Sequence, residues 1–203
     1  LDINEHDFYT ENRSYLSLNA LLPYYDTHPE VRPIVELRGP YENIRLLSHI
    51  YPYNSKLFSS LTGTLDIHNK RGEEAKMNGF VPVYRTFNES FSIGTDEDRD
   101  QTFDTTKVKY FTSFVTECNA HRLPLIVIAS PTLKKFDTER HYLQIAREIA
   151  TLNNAYFFNF TGDTTFTKNR QYFRDMIHLN ETGSKIFTNI LIDKIANNKI
   201  ILP

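Results

Sequence analysis

The chain has 203 residues, 40% of them hydrophobic and 24% charged, with a formal charge of −2 and a pI near 6.4. That much apolar material is enough for a sizeable core, and the near-neutral balance offers no basic stripe to neutralise a nucleic-acid backbone. No run reaches the roughly 18 consecutive apolar residues of a membrane span, no charged-then-apolar leader precedes the first elements, and the single Cys118 excludes an internal disulfide.

The first residues, Leu1-Asp-Ile-Asn4, read as the end of a buried strand and start without methionine, so further sequence upstream is expected. From Tyr15 to about Leu65, Pro23, Pro29, Pro33, Pro40 and Pro52 predict short, interrupted helices, because proline cannot donate the helical hydrogen bond. Residues Asp66 to Asp104 carry Gly72, Gly79, Pro82, Gly94 and the acidic run Asp96 to Asp98, and they predict loop. The whole stretch of about 23–104 is expected to be a helical and loop insertion into a single domain spanning 1–203.

Regular periodicity follows. Val108, Phe111, Val115 and Cys118 predict an amphipathic helix from about Asp104, with Cys118 as packing material. Leu125-Ile-Val-Ile-Ala129 is a continuous apolar, β-branched run that predicts a strand covered on both faces. Tyr142, Ile145, Ile149 and Leu152 predict one face of a second helix, capped by Asp137 and ended by Asn153-Asn154. Tyr156 to Phe160 predicts another strand. Ile186, Phe187, Ile190, Leu191 and Ile195 predict a last helix, starting at Asn180 or Thr182 and ending at Asn197-Asn198. Alternation at these lengths implies an α/β fold: a doubly wound parallel sheet with helices on both faces, three layers in all. In such sheets ligands gather at the carboxyl ends of the strands, which directs attention to the loops after Asn4, Ser130 and Phe160.

The loop before the last helix reads Tyr172-Phe-Arg-Asp-Met-Ile-His-Leu-Asn180. An imidazole that takes a proton from a hydroxyl needs a carboxylate on its other nitrogen, and Asp175 and His178 supply both groups from one turn. The plainer alternative is a turn-capping Asp175 and a His178 packed at a helix entrance. The block Phe173-Arg-Asp-Met-Ile-His-Leu-Asn-Glu-Thr-Gly183 resembles the last conserved block of the SGNH (GDSL-type) hydrolases, and it is similar to the form in extracytoplasmic members that remove or transfer acyl groups on polysaccharides. The resembling region covers about half the chain. It implies a flavodoxin-like sheet, here without its first strands, and an exposed sheet edge through which dimerisation is expected. Catalysis would need no cofactor, Asp175 and His178 would be the acid-base pair, and the substrate would be a small-molecule or polysaccharide ester outside the cytoplasm.

Asp2-Ile-Asn-Glu5 lies where the family has Gly-x-Asn-Asp, which makes Asn4 the expected oxyanion donor, although Asp2 and Glu5 depart from that pattern. Asn4 equally reads as a strand end opening a turn. The family's serine block lies upstream of this motif, so the nucleophile is expected outside this chain; Ser130-Pro131 reads as a turn. His6 reads as a loop residue, and the histidines at 28, 49, 68, 121 and 141 lack metal-ligand spacing. Tyr24, Tyr25, Tyr41, Tyr51, Tyr53 and Phe58 read either as a sugar-stacking wall or as packing of the inserted helices. The sequons at Asn12, Asn88, Asn159 and Asn180 assign nothing by themselves. Two functions follow: a serine-dependent esterase or acyltransferase, or a fold of this type that binds carbohydrate or assists assembly without catalysis.

Overall fold

A computed structural model describes residues 1–10, 15–54, 81–87, 102–133 and 139–200. The expected cap Asp137, the acidic run at 96–98 and Phe58 lie outside these residues. Contacts divide the chain into two compact units, one formed by Leu1–Thr10 with Pro82–Pro203 and the other by Glu11–Val81.

The first unit is an α/β structure built on three parallel strands. These are β1 (Asp2–Ile3), β2 (Ile126–Ala129) and β3 (Tyr156–Asn159), in the order β1-β2-β3. Ile3 pairs with Ala129, and Ala129 with Asn159, so the carboxyl ends of all three strands lie level. Alternation along the strands divides the core. Val127, Ala129, Ile3 and Phe157 pack against α3 (Thr105–Ala120) and α4 (His141–Leu152), whereas Ile126, Ile128 and Phe158 pack against α6 (Glu181–Asn197), which follows the one-turn α5 (Thr164–Thr167) in the chain. Helices therefore cover both faces, which is why β2 has no polar position.

Helix starts follow side-chain chemistry. Asp104 caps α3 by accepting from the Thr106 and Lys107 backbone N–H groups, and Asn180 caps α6 by accepting from Gly183. The three long helices are each followed by a left-handed residue that is not glycine: Arg122, Asn154 and Lys199. The stripe expected on α4 is met in part, with Tyr142 buried and Ile145 packed against the same core. The buried residues of α4 are Tyr142, Leu143, Ala146 and Ala150, while Leu152 is 74% exposed. The small Ala146 and Ala150 allow the helix to lie close to the sheet, so this side turns inward and the final turn carries Leu152 away from it.

The second unit contains the 3-10 helices Leu16–Tyr24, Pro29–Val31 and Tyr51–Tyr53, with short helices α1 (Arg32–Glu36) and α2 (Glu42–Arg45). Leu22, Val35 and Leu46 form its small core. Of the aromatic group, Tyr25 and Tyr51 pack on that core, whereas Tyr24, Tyr41 and Tyr53 are exposed. Beside the core is a buried charge: Glu42, 1% exposed, accepts from Arg38 at 2.7 Å, Arg45 at 2.9 Å and the Tyr51 hydroxyl at 3.1 Å. Removing the carboxylate leaves Arg38 buried without its counter-charge. Glu42→Ala is expected to cost about 3–5 kcal/mol in denaturant unfolding of this unit; a loss below about 1 kcal/mol would mean that the network is solvated.

Candidate active site

The carboxyl ends of the strands meet the Asp-x-x-His loop at one cavity of about 270 Å³. Asn4, Ser130 and Thr161 reach it from the strand ends, and Ile177 and His178 from the loop. Parallel register is what assembles it: the three segments are far apart in sequence and share only their position at the sheet edge.

The loop is built as a tethered bulge. Phe173 and Leu179 form an antiparallel bridge, and the Arg174 N–H donates to the His178 carbonyl at 2.9 Å. The Met176 carbonyl accepts from Leu133 at 2.9 Å, and the Phe173 carbonyl accepts from Phe87 at 2.8 Å. Beneath the loop, Phe166 and Phe173 pack with Leu133 and Phe87. Asn180, 4% exposed, ties its base: the side-chain amide donates to the Gln171 carbonyl at 2.7 Å while Oδ1 accepts from Gly183. Burial of that amide removes Asn180 as a glycosylation acceptor in the folded state. Asn12 and Asn88 lie outside the described residues.

Within the loop, Asp175 and His178 meet. His178 Nδ1 lies 2.9 and 3.0 Å from the two Asp175 oxygens. A carboxylate only accepts, so Nδ1 carries the proton and Nε2 of the neutral ring is left with its lone pair. Asp175 is itself held, accepting from the backbone N–H groups of Ile177 and His178 and from Arg174 Nε. Partial burial works against the charge, but the Ile177 N–H, the His178 imidazole, the His178 N–H and Arg174 outweigh it and hold the carboxyl down at about 2. The pair is open to solvent, with the imidazole 57% exposed, and among the described residues nothing hydrogen-bonds Nε2.

Asn4 takes the plainer of its two expected places, at the end of a strand where a turn opens. It ends β1 and caps a 3-10 turn over Glu5–Asp7, with Oδ1 accepting from His6 at 2.8 Å and its own N–H donating to Asp7 at 2.8 Å. Because Oδ1 must face a backbone donor, the orientation of the amide is decided and Nδ2 is its remaining donor. Lys107 fastens the same turn through the carbonyls of His6 and Tyr9, at 2.6 and 2.9 Å.

Ser130 lines the same cavity, but its hydroxyl donates to Asp2 Oδ1 at 2.8 Å. Thr161 is buried, and its N–H and hydroxyl both donate to Asn159 Oδ1. Tyr142 forms part of the wall; burial, with the Glu5 carboxylate next in effect, pushes its phenol far up and keeps it neutral. Thr161 and Tyr142 carried no motif, and only the folded chain reveals that they belong here. Among the described residues no group of three or more His, Cys, Asp or Glu is arranged to hold a metal ion, and no helix is long and apolar enough to cross a membrane.

No family model, curated protein or solved structure matches the chain. The functional reading therefore rests on geometry and chemistry.

Two outcomes test the construction of the loop. A Cβ on Gly183 would meet the Tyr172 carbonyl oxygen at 2.1 Å, whereas one on Gly39 would meet nothing within 4 Å. Gly183→Ala is expected to lower stability by at least about 2 kcal/mol by calorimetry, against less than about 1 kcal/mol for Gly39→Ala; equal effects would refute the close contact.

The second outcome concerns acid. Because the folded carboxyl of Asp175 is depressed, its stabilising contribution is complete above about pH 4 and lost as the pH falls through about 2. Wild type should lose stability across that window more steeply than Asp175→Asn, followed by circular dichroism. Superimposable curves would show that the charge contributes nothing, and partial exposure limits the difference in any case.

Proposed function

We propose that this chain carries the acid-base pair and an oxyanion donor of a serine-dependent ester hydrolase or acyltransferase acting on O-acylated carbohydrate or small esters, in a flavodoxin-like α/β/α frame of the SGNH type. The observation that carries this reading is the imidazole fixed by Asp175 through Nδ1 with Nε2 unengaged among the described residues, beside an Asn4 amide whose oxygen is already committed.

The chemistry is acyl transfer. A serine Oγ attacks the ester carbonyl carbon while its proton moves to Nε2 of His178, and Asp175 stabilises the imidazolium without itself taking a proton. The carbonyl oxygen becomes an anion and accepts a hydrogen bond from Asn4 Nδ2. Collapse expels the alcohol, which receives the proton from His178; water or a sugar hydroxyl then takes the acyl group by the same steps in reverse. By the resemblance to the SGNH hydrolases, the nucleophile in this reading is a serine outside the present chain, and the Ser130 hydroxyl is directed to Asp2 and not to the imidazole. By resemblance to the extracytoplasmic members, the proposed setting is the periplasm or the cell surface.

A second reading is a carbohydrate-binding or assembly module that does not catalyse. It is favoured by one observation: among the described residues no hydroxyl is hydrogen-bonded to His178.

Turnover of a chromogenic acetyl ester by the full natural protein separates the two. His178→Ala is expected to reduce kcat by at least about 10³-fold, Asn4→Ala by about 10²–10³-fold, and Ser130→Ala by little. Activity that survives His178→Ala would eliminate the mechanism, and activity abolished by Ser130→Ala would move the nucleophile to Ser130. A wild-type protein inactive on all acetyl esters tried, sugar esters included, would favour the binding module.

A further inference from the structure

His178 stands between two cavities of different charge. The first is the one shared with Asn4, and its charged lining consists of Asp2 and Glu5, with the imidazoles of His6 and His178. The second has a volume of about 490 Å³ and is lined by Arg85, Phe87, Arg174 and Asp175. Ile177 and His178 belong to both, so a molecule reacting at Nε2 extends into either side.

We propose that the second cavity is a subsite for an anionic group, a carboxylate or a phosphate, carried by the alcohol half of the substrate. This deepens the ester-hydrolase reading and rests on it.

Three features support the assignment. Arg85 is exposed yet placed, because the backbone is tied on both sides of it: the Val83 carbonyl accepts from Glu181 at 2.9 Å, and the Phe87 N–H donates to Phe173 at 2.8 Å. Both anchors lie on the block that carries the dyad. Among the described residues no carboxylate pairs with Arg85, so its guanidinium keeps the planar fork that recognises two oxygens of one anion. Arg174 commits Nε to Asp175 and retains its terminal amino groups as donors.

The two cavities together orient a substrate. In the first, Asp2 and Glu5 stand with Arg140 paired to Glu5, and in the second, Arg85 and Arg174 stand with Asp175 paired to Arg174. The first keeps an excess of negative charge and the second, through Arg85, an excess of positive charge, so a negatively charged alcohol half is directed away from Asn4. The acyl half is left for the cavity that holds the oxyanion donor. Specificity here comes as much from repulsion on one side as from attraction on the other.

The test measures binding without turnover. D-glucuronate, glucose 6-phosphate and glucose are titrated by calorimetry, at low ionic strength, into the full natural protein bearing His178→Ala. At least one anionic sugar is expected to bind about tenfold or more tighter than glucose, and the tighter of the two identifies carboxylate or phosphate as the group. Adding Arg85→Gln should abolish the preference, Arg85→Lys should restore part of it, and added salt should diminish it. Equal affinities for the three sugars, or a preference unchanged by Arg85→Gln, would overturn the subsite. A preference for anions combined with a wild-type protein that cleaves no ester would instead overturn the hydrolase reading and leave the anion subsite standing.

Discussion

Parallel pairing in one register is the constraint on which the first unit depends. Ile3, Ala129 and Asn159 lie side by side across the three strands, and the residues that follow them have nowhere to go but the same edge. Each parallel step requires a crossover, and α3 and α4 supply those crossovers on one face while α6 closes the other. The cavity at the strand ends is thus a consequence of topology, with Asn4 brought to Ser130 and Thr161 from more than a hundred residues away.

Positioning of His178 is a separate matter, settled by the loop's own anchors. Backbone bonds from Phe87 and Leu133 hold the loop from outside, while buried Phe166 and Phe173 fill the space beneath it. Asn180 and Gly183 join the loop to α6, one by satisfying backbone groups and the other by leaving room for the Tyr172 carbonyl. These contacts let a solvent-exposed Asp-His pair keep one geometry. Hydrogen bonds to Asp175, rather than burial, are what hold its charge.

The second unit solves a different problem. Its apolar core is small, and its short helices are interrupted by prolines, so part of its internal order comes from Glu42 gathering two arginines and a tyrosine in a buried cluster. The sensitive members are Glu42 and Arg38, because loss of the Glu42 carboxylate leaves Arg38 buried without a counter-charge, whereas Arg45, with its side chain 57% exposed, keeps access to solvent.

Local chemistry was legible in the sequence. The apolar periodicities located α3, α4 and α6 and the β2 and β3 strands, Asp104 and Asn180 announced their helices, and Asp175 and His178 stood in one turn at a spacing that lets the two side chains meet. Such features depend on residues a few positions apart, where period and side-chain reach are decisive. The tertiary structure decided what depends on distant partners. It added Leu143, Ala146 and Ala150 to the buried side of α4 and left Leu152 facing solvent, committed the Ser130 hydroxyl to Asp2, buried the Asn180 amide, and set Arg85 beside the dyad in a second cavity. No period or motif in the chain encodes those pairings, because each is selected by packing and hydrogen bonding among segments that meet only when the sheet forms.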